Sequence, residues 1–247
     1  MKPFSIAAFV GTIVTCFSCV DSGDATAPNS KGKGGSMARF AITNTHVYTV
    51  DAMSLHVYEI AANGAVEKVN EVELNGSVET IFELGGKLYF GTAVSMLTYN
   101  ISDPAKPTFE SQYSHFTACD PVVVQDTIAY VTIRSNGCRF GNSNILDILN
   151  VKDPANPVLL STTTLTAPYG LGIDGKTLFV CEGTQGLTVL DVSDPKKPVI
   201  KAQINDGHTY DVIPNEGILV VTGNDGIRQY SYSGFDLELL STIGVAK

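Results

Sequence analysis

LDVSDPKKPV, residues Leu190–Val199, is the stretch on which the reading of the fold turns. It recurs as LNVKDPANPV from Leu149 and as YNISDPAKPTF from Tyr99. Two looser copies, YEIAANGAV from Tyr58 and YSYSGFDLE from Tyr230, frame the set. The copies start at 58, 99, 149, 190 and 230, so they are spaced by 41, 50, 41 and 40 residues. A second series keeps the same phase: HVYTVD, KLYFGT, IAYVTI, TLFVCE and ILVVTG. Self-similarity at such a period marks a repeat architecture.

Each unit predicts four short strands. The first runs into a tight turn at Gly85-Gly86, Asp174-Gly175 or Asn215-Glu216-Gly217, residue types that accept the positive φ of a hairpin. The second is Leu88–Gly91 or Leu178–Cys181, and the third carries the Tyr-x-Ile or Leu-x-Val pair. Asp-Pro-x-x-Pro then suits a type I turn, because proline presets φ at its second position. The second proline (Pro107, Pro157, Pro198) opens the fourth strand, where a missing N–H costs nothing at a sheet edge. Hence the fourth strand is the outer one and the first the inner one. TLFVC and ILVVT are apolar on both faces, as in a sheet packed between two others. The expected fold is all-β, a β-propeller of about five four-stranded blades over residues 38–247. A β-sandwich is the runner-up and does not demand so even a period; an open solenoid is a weaker alternative.

The N-terminal region reads differently. Lys2 precedes an uncharged apolar stretch, Phe4 to Val14, followed by Thr15, Cys16, Phe17, Ser18 and Cys19. This predicts a signal peptide over residues 1–18, too short for an ordinary transmembrane helix. Ser18-Cys19 is similar to a bacterial lipoprotein cleavage site and makes Cys19 the expected lipidated residue, although Cys16 stands where leucine is usual. Residues 19–37, rich in Gly, Ser, Asp and Lys, read as a disordered tether. The expected location is therefore an exported, membrane-anchored lipoprotein at a bacterial outer membrane or cell surface, touching membrane through its lipid only.

LDVSDPKKPV, LNVKDPANPV and YNISDPAKPTF, with SHFTACDPVVVQDTIAYVTIRSNGC, PYGLGIDGKTLFVCEGTQGL and the lead-in GKGGSMARFAI, resemble the LVIVD repeat family. The resemblance covers the chain from about Lys31 onward. It implies a β-propeller on an exported bacterial lipoprotein, and brings neither an activity nor catalytic residues. The first and last units depart from Asp-Pro-x-x-Pro, so ring closure is not read from them.

The charge balance narrows the partners. Twenty-five acidic against 16 basic residues give a net charge of −9 and, with a pI near 4.8, oppose nucleic acid, whose phosphates need lysine and arginine. They also oppose a polybasic membrane-surface role. The partner expected is an unknown envelope protein or a glycan.

Aligning the inner strands puts Ala38, Glu79, Asp120, Tyr169 and Tyr210 in one column and Arg39, Thr80, Pro121, Gly170 and Asp211 in the next. Both columns belong at the mouth of the central channel. Arg39, Glu79, Asp120, Tyr169, Tyr210 and Asp211 are thus the candidate ligand-binding residues; the competing reading has them capping strand starts, pairing with Arg39 or holding water. The third unit is longer by a loop, Arg134 to Asn144, on the same face, where long loops often carry binding. It holds Cys138, which with Cys119 makes a disulfide candidate in an oxidising compartment. Cys181 reads as a buried core thiol. His115 and His208 sit at near-equivalent entry positions, for which a solvated strand-end histidine is the commoner case.

No metal site or cofactor is expected: the Cys-x-x-Cys of Cys16 and Cys19 spans the expected cleavage site, and no Gly-x-Ser-x-Gly elbow or phosphate-binding glycine loop after a strand is present. The function expected is a binding or interaction module, without catalytic residues. The alternatives are a carboxylate-dependent hydrolase, such as a glycosidase at the channel mouth, and a purely structural envelope partner.

Overall fold

The computed structural model describes residues 35–114, 121–134 and 144–245. These residues form five four-stranded antiparallel sheets and no helix. The first sheet is β1 (Phe40–Ile42), β2 (His46–Val50), β3 (Ser54–Ile60) and β4 (Val66–Glu73). The second is β5 (Val78–Leu84), β6 (Lys87–Thr92), β7 (Ser95–Asn100) and β8 (Thr108–Ser114). The third is β9 (Val122–Gln125), β10 (Ile128–Ile133), β11 (Ile145–Asn150) and β12 (Val158–Thr164). The fourth is β13 (Leu171–Asp174), β14 (Thr177–Cys181), β15 (Leu187–Asp191) and β16 (Val199–Ile204). The fifth is β17 (Thr209–Asn215), β18 (Ile218–Gly223), β19 (Gly226–Ser233) and β20 (Asp236–Gly244).

Each sheet follows chain order, and the first strands of successive sheets lie against one another: β1 on β5, β5 on β9, β9 on β13 and β13 on β17. This is the propeller arrangement, with the inner and outer strands assigned as the sequence predicts. The two-sided burial is also as expected, since every residue of β14 is buried. Four apolar clusters join neighbouring sheets. Phe90, Leu97 and Tyr99 meet Tyr48 and Leu55 between sheets one and two. Val122 and Val131 meet Tyr89 and Met96 between sheets two and three. Leu146 and Ile148 meet Leu171 and Leu178 between sheets three and four. Phe179 and Cys181 meet Val212 and Tyr230 between sheets four and five. At about 1.5–3 kcal/mol for each large apolar side chain removed from water, these clusters supply the main cohesion.

The sheets do not close into a ring, for no apolar cluster of described residues joins the fifth to the first. The lead-in to β1 links them instead. The hydroxyl of Ser36 donates to Asp211 Oδ1 of β17 at 3.0 Å and accepts from the Leu171 amide of β13 at 2.7 Å. The carbonyl of Ala38 accepts from the Ile81 amide of β5 at 2.9 Å. Residues assigned to a tether by composition are thus folded here: Gly35 is buried and Ser36 is fully enclosed. Earlier residues of the tether, and residues 1–18 with the expected signal peptide and the Cys19 lipidation site, lie outside the described residues.

The Asp-Pro turns behave as their chemistry requires. The amides of Lys106, Asn156 and Lys197 donate to the carbonyls of Asp103, Asp153 and Asp194 at 3.0, 3.0 and 2.9 Å. The same aspartates accept from the Ala105, Ala155 and Lys196 amides through Oδ1. Two proline carbonyls then tie their turns to the preceding sheet: Tyr48 donates to Pro104 at 2.9 Å, and Ser161 to Pro195 at 2.7 Å. These turns are structural. The first unit replaces the motif with an Asn63-Gly64 turn, the last with one centred on Gly234.

One regularity is not visible in the sequence. In all five sheets the pairing of third and fourth strands shifts register at the same place, immediately before Tyr58, Tyr99, Leu149, Leu190 and Tyr230. Each outer strand carries one extra residue there: Val69, Glu110, Leu160, Lys201 and Leu240. Bulges of this kind twist an exposed edge and spoil it as a template for another chain.

Candidate functional site

The described residues of the two predicted columns divide into separate groups. Glu79 and Tyr210 are themselves bulge residues of inner strands. In the second sheet Val78 pairs with Thr92 and Thr80 with Gly91, leaving Glu79 as the extra residue. In the fifth, Thr209 pairs with Gly223 and Asp211 with Thr222, leaving Tyr210. A bulge exempts its residue from in-out alternation and re-aims the side chain.

A cavity of about 460 Å³ opens beside Glu79, lined by Met37, Arg39, Ala52, Ser77, Val78, Thr80, Pro121, Arg134 and Tyr169. Its size falls in the range of small-molecule sites, about 300–1,000 Å³. Three of the six candidates line it: Arg39, Glu79 and Tyr169. The lead-in contributes Met37, and the ends of β10 and of the segment before β13 contribute Arg134 and Tyr169. Arg134 lies outside the columns because it follows the second strand of its sheet, and in the sequence only its place at the start of the long loop marks it.

Three kinds of contact fix these side chains. Arg39 Nη2 donates to the Val78 carbonyl at 3.4 Å. The Arg134 guanidinium lies over the Tyr169 ring, 3.7 Å from its centroid. Burial pushes the Glu79 carboxyl above its ordinary value, while Arg39 and Arg134 oppose the shift. Glu79 makes no ion pair within 4.0 Å among the described residues, so both guanidiniums act on it from farther off. The described charges of the cavity are two cations against one carboxyl whose ionisation is disfavoured. It is a positive spot on an acidic protein.

Tyr169 is held on several sides. Its carbonyl accepts from Thr132 Oγ1 at 2.7 Å and its amide donates to Cys181 at 2.7 Å. Its ring meets those of His208 and Tyr210 with centroids 5.7 and 5.8 Å away. A Cβ on Gly183 would sit 2.7 Å from the Tyr169 ring, so glycine there admits the ring. The loop ahead of it hangs on Glu182, which is 1 % exposed and accepts from the Thr166 and Ala167 amides at 2.7 and 3.2 Å and from Thr188 Oγ1 at 2.6 Å. Glu182 gave no sequence signal beyond an acidic residue after an apolar strand.

Asp211 and Tyr210 are placed elsewhere. Tyr210 donates to Asn224 Oδ1 and extends the aromatic row away from the cavity. Asp211 turns to the lead-in: Oδ1 accepts from Ser36 Oγ at 3.0 Å and Oδ2 from the Met37 amide at 3.3 Å. Its carboxylate fits between Gly35 and Gly170, where added Cβ atoms would lie 2.1 and 2.2 Å from its oxygens. Burial raises its carboxyl above the ordinary range, against hydrogen bonds from Val212, Ser36 and Met37. Asp211 is a clamp on the lead-in and pairs with Ser36 and Met37, not with Arg39. Asp120, Cys119, Cys138 and His115 lie outside the described residues, as does the loop from residue 135 to 143. Cys181 is a buried free thiol whose ionisation burial opposes, as expected of a core residue.

Comparison with known protein families matches residues 170–206 to the LVIVD repeat, the unit that contains β13 to β16. Comparison with curated proteins finds no match. Among solved structures, the chain is similar to a functionally unknown protein from Desulfotomaculum acetoxidans, with a TM-score of 0.71 and 12% identity, covering 87% of this chain and 71% of that one. It is similar to a protein from Lactobacillus plantarum, with a TM-score of 0.67 and 19% identity over 83% of this chain and 71% of that one. It is also similar to a periplasmic gluconolactonase from Pseudomonas aeruginosa, with a TM-score of 0.65 and 12% identity over 83% and 69% of the two chains. At such identities the likeness is one of fold.

Proposed function

We propose that this chain, which carries an LVIVD repeat on five propeller-type sheets, is a binding module of the bacterial cell envelope whose ligand sits in the channel-mouth cavity. The observation that carries the reading is the convergence there of the lead-in, β5, the residues just before β9 and β13 and the residue just after β10 around one cavity. A rigid scaffold that brings side chains of distant sequence to one mouth is how binding sites are commonly built. The glycosidase alternative asks for two facing carboxylates. Glu79 is the described carboxylate of the cavity, and Asp211 is committed to the lead-in. Envelope location rests on the sequence of residues 1–18 and on Cys19, which is expected to carry the lipid.

Ser77 is exposed and lines the cavity, so Ser77→Trp fills it at little cost to folding. A ligand-observed NMR screen of small molecules and glycans against the full chain should yield hits that Ser77→Trp abolishes. Hits that persist in the filled variant would place the binding site elsewhere. For the anchor, Cys19→Ser should release the protein from the membrane fraction; unchanged partitioning would rule lipidation out.

A further inference from the structure

The cavity's charge and shape specify a class of ligand, an inference that rests on the binding reading above. We propose that the cavity binds small organic oxyanions, with a carboxylate or phosphate group held by Arg39 and Arg134 and the remainder of the molecule lying against Tyr169, Met37 and Val78.

Arg134 carries the most specific part of the argument. A guanidinium stacked 3.7 Å over an aromatic ring is held by its face, which leaves its edge N–H groups to point sideways. That edge is a planar fork matched to the two oxygens of a carboxylate or phosphate. Tyr169 is fixed by Thr132, Cys181 and the packing on Gly183, so the fork is preorganised. Arg39 reaches the same cavity and uses one of its five donors on the Val78 carbonyl. Neither guanidinium has Glu79 within 4.0 Å, so its carboxyl does not occupy either fork.

The charge balance points the same way. On a chain of net charge −9, two arginines at one mouth concentrate positive potential where the remaining surface repels anions. Glu79 is one carboxyl against two guanidiniums and offsets them only in part. Among the described residues neither guanidinium has a carboxylate within 4.0 Å, so a neutral ligand would leave both without a described anionic partner. The apolar share of the lining, from Met37, Ala52, Val78 and Pro121, calls for an organic body and not a bare ion.

The test uses the full chain with benzoate, phenyl phosphate and the neutral benzyl alcohol, followed by isothermal titration and ligand-observed NMR. Both anions should bind in preference to benzyl alcohol, more weakly as salt is added, and the tighter of the two identifies the carboxylate or phosphate source. Arg134→Gln and Arg39→Gln should each weaken anion binding by about tenfold to a hundredfold, the range for removing one charge-assisted partner. Glu79→Gln should tighten it. Because Arg39 is exposed, Arg39→Gln remains informative if Arg134→Gln proves unstable. Anion binding unchanged by the arginine variants, or weakened by Glu79→Gln, overturns the inference. No anion binding at all also overturns it. If neutral molecules bind and Ser77→Trp abolishes their binding, the cavity stands as the site and only the oxyanion assignment fails. If hits are indifferent to Ser77→Trp, the cavity reading fails with it.

Discussion

Replacing Asp211 by alanine tests the link that the lead-in makes between the first and last sheets. The truncation leaves the Ser36 hydroxyl without its acceptor at 3.0 Å and the Met37 amide without its acceptor at 3.3 Å. Hydrogen bonds to a charged group contribute about 1.5–3 kcal/mol each. Against that stands the relief of no longer burying a carboxylate, which burial already penalises. The net expected loss is about 2 kcal/mol, or about 4–8 °C in Tm for a protein of this size. Thermal denaturation by calorimetry reads the global effect. Amide hydrogen exchange reads the local one: Met37 and Leu171 should lose protection, while the amides of β14 and β15 keep theirs. Ser36→Ala should reproduce most of the loss and add little to Asp211→Ala. A titration supplies the sign. With the folded carboxyl raised, the folded state holds a proton that the unfolded state has released between the ordinary and the raised value. The added stability from that proton is complete below the ordinary aspartate value and lost as pH rises through the raised one, separate from the hydrogen bonds of the clamp. Asp211→Asn should remove that fall in stability with rising pH. An unchanged Tm together with unchanged exchange at Met37 and Leu171 would refute the clamp.

Other perturbations reach the remaining features. Gly183→Ala combines a positive φ of 55° with a Cβ 2.7 Å from the Tyr169 ring, so a loss of about 1–3 kcal/mol by chemical denaturation should accompany a shift of the Tyr169 ring resonances. Glu182→Ala orphans the Thr166 and Ala167 amides and the Thr188 hydroxyl; a loss of about 3 kcal/mol in the same assay is expected, with raised exchange over residues 165–169. Asp153→Ala keeps the backbone turn but deletes the bonds to the Ala155 amide and Asn156 Nδ2, and should cost about 1 kcal/mol while leaving ligand binding at the opposite mouth unaltered in titration. Cys181 is wholly buried and its thiol is pushed up by burial, so peptide mapping after alkylation should find it unmodified until denaturant unfolds the fourth and fifth sheets.

The repeat made the architecture legible. Asp-Pro-x-x-Pro fixes a turn by local chemistry alone, and its even recurrence fixes the number of sheets and the inner and outer strands. The same register placed Glu79 and Tyr169 at one mouth without any knowledge of contacts. What escaped depends on partners far along the chain. Asp211 meets Ser36 across 175 residues, and nothing in the residue types of Gly35-Ser36 separates a folded lead-in from a flexible linker. Arg134 comes from another strand of its sheet, so no alignment of inner strands finds it. The bulges arise from hydrogen-bond registers that neighbouring strands impose, and no residue type announces them.

The bulges at Glu79 and Tyr210 separate two demands that usually conflict. An ordinary strand residue answers to the alternation of its neighbours, so changing it trades recognition against burial. A bulged residue stands outside that alternation and can be exchanged without turning an apolar neighbour toward water. Recognition at this mouth is therefore open to variation by natural drift or directed mutagenesis, on a frame whose packing is set elsewhere. Libraries confined to positions 79 and 210 should retain folded members at a rate that libraries at 81 or 212, inside the buried clusters, do not reach.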